Sequence, residues 1–257
     1  MPPILLLTAV AACAGLTPKQ MAQADSPESV TVPTPAEFFA AIDKAGKPDW
    51  VSFYRDPVPT TYPTRPQTAF NLGTLVADGF VAVEAEDGQQ VKNTGKDIIA
   101  LAKALGVGEH VLARGKSISD FAEKNDWFAL REELEATANE VRNAMVEQRD
   151  EALSSLITAG AWVRALQVGS RAAELSGEDA PVELLRQSAL VELLQSNLGK
   201  LPEKSRDLPA IAQVGATLQG VGSLMKSNGA AAIPKENAGA IHAKTGELVS
   251  AMSAKQP

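Results

Sequence analysis

The fold class is decided by residues 127–175, WFALREELEATANEVRNAMVEQRDEALSSLITAGAWVRALQVGSRAAEL. This stretch contains no proline, and its first glycine is Gly160, so nothing before that point interrupts a helix. Apolar side chains recur in it at helical spacing, at Trp127, Leu130, Leu134, Val141, Met145, Ala152, Leu156 and Val163. The spacing predicts either one long helix or two helices with a break near Arg149, and the period alone does not separate these alternatives.

Helix start and stop signals continue on both sides of this stretch. Thr34-Pro35-Ala36-Glu37 is typical of a capping box with proline at the first helical position. Residues 47–66 are rich in proline and aromatic residues and predict a long irregular loop. Further helices are predicted near residues 67–84, 89–105, 117–123, 179–198, 207–226 and 234–252, and no strand pattern is found. We expect an all-α fold, an irregular antiparallel bundle of roughly seven to nine helices, with residues 34–257 as a single domain.

Residues 1–24 are predicted to be an export signal. An uncharged apolar run covers residues 4–16 and is too short to span a bilayer as a helix. Two processing sites compete behind it: cleavage before Cys13 would create a lipid anchor, whereas cleavage after Ala24 would release a soluble chain. Residues 25–33 are predicted to be a disordered tether. We expect an exported protein of the periplasm or cell envelope, attached to a membrane only if Cys13 is lipidated.

The composition excludes several classes of function. The formal net charge is −7, and no cluster of Lys and Arg is present to neutralise the phosphates of a nucleic acid. Cys13 is the only cysteine, and neither His110 nor His242 has a glutamate three residues earlier. Zinc sites and ferritin-like metal sites therefore lack their usual ligands. We expect no metal and no cofactor.

Two motifs carry only weak indications of chemistry. Residues 110–117, HVLARGKS, end like a phosphate-binding loop, but His110 stands where that loop needs glycine and no strand precedes it. We interpret this segment as a turn before a short helix capped at Ser117. Residues 84–87, EAED, are the densest acidic run and are typical of a solvated helix end. A hydrolase that uses a pair of carboxylates is kept as an alternative function.

One group of residues is a candidate ligand site. Asn71 and Asp78 lie seven residues apart, on nearly the same side of the predicted helix 67–84. A buried aspartate requires a partner, and Arg164 is predicted to supply it. Together with Trp162, these residues predict a pocket between two helices, with Asn71 and Asp78 as polar anchors and the loop aromatics Trp50 and Tyr54 on its rim.

The same segments also have a purely structural interpretation. Gly73, Ala77 and Gly79 provide small positions on one helix where another backbone could approach closely. Gly160 and Ala161 could provide the same on the other helix. In that case Asp78 forms a salt bridge or helix cap and binds no ligand, as most buried polar groups do.

Residues 70–78 and 156–163 resemble an uncharacterised group of exported bacterial all-helical proteins. The resemblance implies export and a helical fold. No activity is known for the group, so it implies no catalytic or binding residues.

Three functions follow from these observations. The leading hypothesis is a non-enzymatic binding or scaffold module of the cell envelope, with a protein or small-molecule partner. The first alternative is a periplasmic small-molecule binder with a pocket near Asp78 and Trp162, and the second is the carboxylate-based hydrolase.

Overall fold

The computed structural model describes residues 33–176, 180–226 and 233–254, and the described residues contain helices, turns and loops but no strand. Helices α1 to α6 are Pro35–Gly46, Arg65–Glu84, Gly88–Ala104, Gly108–Glu123, Trp127–Glu147 and Glu151–Ser176. Helices α7 to α11 are Ala180–Leu184, Ser188–Gly199, Glu203–Arg206, Pro209–Met225 and Lys235–Ser253. A 3₁₀ turn, Trp50–Phe53, follows α1. The predicted all-α bundle is confirmed, whereas the export signal, Cys13 and nearly all of the tether lie outside the described residues.

Residues 127–175 form two helices, which is the second of the two predicted alternatives. Helix α5 ends at Glu147, and Arg149 adopts a left-handed conformation with φ 59°. Asp150 accepts a hydrogen bond from the backbone N–H of Leu153 at 3.4 Å and so caps α6. The break thus arises from a left-handed residue and a following cap, a pair of signals that apolar periodicity does not contain.

Two predicted boundaries are wrong. Residues 108–123 form one continuous helix, α4, because Val111, Ile118 and Ala122 are buried on one side of it. Ser117 therefore caps nothing, and the segment that resembles a phosphate-binding loop is helical. The helix predicted over 179–198 is interrupted between α7 and α8, where the amide of Gln187 donates to the carbonyl of Leu184 at 3.1 Å.

Helices α2 and α6 cross at the centre of the bundle with their backbones in contact. A Cβ built on Gly73 would lie 2.0 Å from the carbonyl oxygen of Ile157, and one built on Gly160 would lie 2.1 Å from that of Phe70. Because no side chain fits at these distances, only glycine allows the crossing. Helices α3 and α5 pack against α2, and α1 and α11 pack against α6. None of the described helices is both long enough and apolar enough to cross a membrane.

Candidate functional site

Asp78 lies one to two turns along α2 from the crossing, where its carboxylate joins two arginines. Its Oδ1 accepts from Nε of Arg164 at 2.8 Å, and its Oδ2 accepts from Nε of Arg55 at 2.7 Å. The Asp78 side chain is 13% exposed, that of Arg164 only 6%. The ion pair between Asp78 and Arg164 is thus present, and Arg55 is a second partner that the sequence analysis did not identify.

Arg164 ties the loop after α1 to helix α6. Its Nη2 donates to the backbone carbonyl of Phe53 at 2.7 Å, and its Nη1 donates to Oε1 of Gln167 at 2.8 Å. All three guanidinium nitrogens are therefore hydrogen-bonded within the protein. Bonds from all three nitrogens indicate a positioning role for Arg164, which holds the carboxylate of Asp78 and the 3₁₀ turn in fixed places.

Arg55 ties the same loop to α2 and keeps part of its guanidinium free. Its Nη2 donates to the hydroxyl of Thr74 at 2.8 Å and lies 2.6 Å from Asp78. No described residue hydrogen-bonds to its Nη1, and the side chain is 19% exposed. Two N–H donors of Arg55 thus remain available beside the ion pair.

A cleft of about 440 Å³ opens next to this network. Loop residues 54–58 form one side, helix α3 forms the other, and Leu75, Asp78 and Val81 of α2 form the floor. Sites for small molecules span about 300–1,000 Å³, so the cleft is large enough for a small ligand.

The α3 side of the cleft is a polar face of one helix. Four polar residues of α3 line the cleft: Gln90 and the residues three, four and seven positions after it, Asn93, Thr94 and Asp97. Residues at these spacings share one helix face. This face borders the cleft opposite loop 54–58, with Asn93 exposed, Gln90 and Asp97 half-buried and Thr94 buried.

Thr94 differs from the other buried threonines of the described residues. Thr68, Thr74, Thr137 and Thr245 each donate a hydrogen bond to a backbone carbonyl three or four residues earlier. Thr94 is only 3% exposed, yet its hydroxyl bonds to no described residue. The hydroxyl is not one of the side-chain atoms that are both sealed from solvent and unpaired, so it faces the cleft and is available to a partner from outside the chain.

Ionisation of two side chains on the cleft is shifted by burial. Burial raises the pKa of Asp97, and the charge of Lys96 offsets part of the rise. Burial and the nearby charge of Asp87 also raise the pKa of Tyr54, whose hydroxyl donates to Oδ2 of Asp87 at 3.3 Å. Tyr54 therefore remains protonated at neutral pH, while Asp97 presents a carboxylate with no ion-pair partner among the described residues.

The structure brings together only part of the predicted pocket. Tyr54 and Asp78 line the cleft, and Arg164 lies behind Asp78. Trp162 and Trp50 do not line it, contrary to expectation. Both are buried in an aromatic cluster, where Trp162 packs 5.8 Å from Phe38, centroid to centroid.

Asn71 is also absent from the cleft, because it links α2 to α11. Its Nδ2 donates to the carbonyl of Met252 at 2.8 Å, and its Oδ1 accepts from the hydroxyl of Ser253 at 2.6 Å. The side chain is fully buried. Asn71 is therefore a structural tie between helices, and a hydrogen-bonded amide of this kind needs no ligand.

Sequence reasoning missed the polar face of α3. Gln90, Thr94 and Asp97 recur at helical spacing, and the apolar residues Val91 and Ile98 recur beside them, a signal that the sequence contains. A polar face is normally assigned to solvent, so the pattern alone gives no reason to place these residues in a site.

The acidic run at residues 84–87 has structural partners. Glu84 pairs with Arg131 of α5 at 2.6 Å, and burial raises the pKa of Glu84 in spite of this partner. Asp87 caps α3 by accepting from the backbone N–H of Gln90 at 2.9 Å. Within the described residues, no group of three or more His, Cys, Asp or Glu side chains is arranged to hold a metal ion.

Comparison with known proteins adds no relative from which a role could be transferred. No protein-family model, no curated protein sequence and no solved structure matches the chain. The function of this chain is therefore inferred from the geometry of the cleft.

Proposed function

We propose that this protein is an exported, non-enzymatic binding module that holds a small polar molecule in the cleft beside Asp78. The proposal combines the leading expectation from the sequence with the small-molecule alternative. The observation that carries it is the hydroxyl of Thr94, which bonds to no described residue and faces a cleft of suitable size.

The network behind the cleft supports a binding role. Arg164 and Asp78 are fixed by hydrogen bonds within the protein, and Asp78 holds Arg55 at the edge of the cleft. A binding site needs such fixed groups to position the few polar atoms that contact the ligand. The unused donors of Arg55 are the atoms placed in this way.

Blocking the cleft tests the proposed binding site. Asn93 is an exposed cleft residue, so Asn93→Trp should fill the cleft without disturbing the core. The matched control is Gln89→Trp, an exposed position on the same helix that lines a different groove. Thermal shift against a panel of sugars, amino acids, carboxylates and amines should find a stabilising compound for the wild type and the control, but not for Asn93→Trp.

Export is the second part of the proposal and has its own measurement. Fractionation of producing cells should recover the protein outside the cytoplasm. Its intact mass should correspond either to a start at Asp25 or to a lipidated Cys13. Full-length protein retained in the cytosol with Met1 present would contradict export, and the proposed binding site would be unaffected.

A further inference from the structure

We infer that the ligand of this cleft is a neutral, hydroxyl-rich molecule of about the size of a mono- or disaccharide. The inference rests on the proposed function and specifies the chemistry of the molecule that the cleft would bind. It is carried by three observations: the balance of charge around the cleft, the mixture of free donors and acceptors on it, and its size.

The charges around the cleft cancel. The positive charges of Arg55 and Lys96 on the cleft, and of Arg164 behind it, balance three negative charges. These belong to Asp56, Asp78 and Asp97. An anion would meet the unpaired carboxylate of Asp97, and a cation would meet Arg55 and Lys96. Because like charges at close range cost several kcal/mol, the arrangement favours a ligand without net charge.

The free polar atoms suit hydroxyl groups. Nη1 of Arg55 only donates, the carboxylate of Asp97 only accepts, and the hydroxyl of Thr94 and the amide of Gln90 do both. Each hydroxyl of a sugar is both donor and acceptor, so adjacent hydroxyls can use a carboxylate and a guanidinium at once. A hydrocarbon ligand would leave all four groups unpaired, which costs free energy at each one.

The arrangement of the cleft fits a ring. The volume of about 440 Å³ lies toward the small end of known ligand sites. Gln90, Thr94 and Asp97 provide polar groups from α3, while Val58 and Leu75 add apolar surface for the C–H faces of a ring.

The experiment is titration calorimetry of the full chain with D-glucose, N-acetylglucosamine, maltose and trehalose, and with succinate and putrescine as charged comparisons. At least one sugar should bind, and the charged probes should not. Thr94→Val should weaken sugar binding about fivefold to tenfold, the effect of one hydrogen bond, and should leave thermal stability unchanged or raised because it removes an unpaired hydroxyl. Asp97→Asn should weaken it at least about tenfold, because hydrogen bonds to a charged acceptor are stronger.

The matched control is Thr137→Val, which removes a buried hydroxyl that bonds to the carbonyl of Glu133 in α5. It should lower stability slightly and leave sugar affinity unchanged. If succinate or putrescine binds, no sugar binds, and Asn93→Trp abolishes that binding, the inference is wrong and the proposed site stands. If no probe binds, or if Asn93→Trp abolishes no binding, both are wrong.

Discussion

Helix α2 takes part in two regions that are built on opposite principles. At its crossing with α6, Gly73 and Gly160 bring two backbones into contact, and no room remains for a single methyl group. Toward loop 54–58 and α3, the same helix borders a cleft of about 440 Å³, onto which the hydroxyl of Thr94 opens without a partner in the described residues. The crossing is a closed region, in which every contact is made within the protein. The cleft is an open region, in which polar groups have no partner among the described residues.

The difference indicates where the chain has room for function. A close-packed crossing transmits strain and tolerates almost no change of volume. The polar groups of an open cleft are hydrated in the free protein and can exchange that water for a ligand, whose binding then adds stability. Asp78 lies between the two regions, since it is anchored by Arg164 of α6 on one side and lines the cleft on the other.

The largest effect is expected from adding a methyl group at the crossing. Gly73→Ala should lower the free energy of unfolding by more than about 3 kcal/mol, because the new Cβ would lie 2.0 Å from the carbonyl oxygen of Ile157 and two backbones would have to separate. Urea denaturation measures the change.

The control for this prediction is Gly215→Ala in α10, where a Cβ would meet no atom within 4 Å. Alanine is favoured over glycine inside a helix, so this variant should gain about 0.5–1 kcal/mol. A loss of less than about 1 kcal/mol for Gly73→Ala would show that the crossing is less close than described here.

The next largest effect is expected at Asp78. Asp78→Ala should cost about 3 kcal/mol, because it leaves the guanidinium of Arg164, 6% exposed, without its anion. Asp120→Ala is the control: its pair with Lys116 lies on the exposed surface of α4 and should contribute less than about 0.5 kcal/mol. Equal losses for the two variants would refute the anchoring role of Asp78.

The closed region was largely predictable from sequence. Apolar residues surround most of α2, which predicts that the helix is buried. Gly73 and Gly160 lack side chains, and this allows the two helix backbones to touch. The pair of Asp78 with Arg164 was also predictable, because Arg164 is the only charge in an apolar run and a buried carboxylate needs a partner.

The open region was not predictable in the same way. Which residues line the cleft depends on how loop 54–58 folds back over α2 and α3, and proline-rich loops carry no periodic signal. The sequence predicts Trp162 in the pocket because it lies on the helix that carries Arg164, and Trp50 because it is an aromatic residue of the long loop. Their large apolar rings instead join Phe38, Phe39 and Phe53 in the core.

A smaller effect is expected from releasing the loop. Arg55→Ala should cost about 1 kcal/mol, since Asp78 keeps its bond to Arg164 and only the contacts of Arg55 with Asp78 and Thr74 are lost. Hydrogen exchange should become faster in residues 54–64 and stay unchanged where α2 crosses α6. Uniform acceleration across both regions would mean that the cleft and the crossing are one cooperative unit.

The smallest effect concerns the cost of the unpaired carboxylate and depends on pH. Burial raises the pKa of Asp97, so the folded chain disfavours its charged form. That cost is present at neutral pH and disappears as the pH falls below the ordinary carboxyl pKa, about 3.9, where Asp97 is protonated in both folded and unfolded chains. Asp97→Asn should therefore stabilise the protein at pH 7 by up to about 0.5 kcal/mol and have no effect near pH 3.

Melting curves from pH 3 to pH 7 measure this change. The control is Asp120→Asn, whose carboxylate pairs with Lys116 and which should gain no stability. A variant that gains stability at neutral pH and loses sugar affinity would show that the wild-type residue is kept for binding at the expense of the fold. A loss of stability at pH 7 would instead place Asp97 among the structural ties of the closed region.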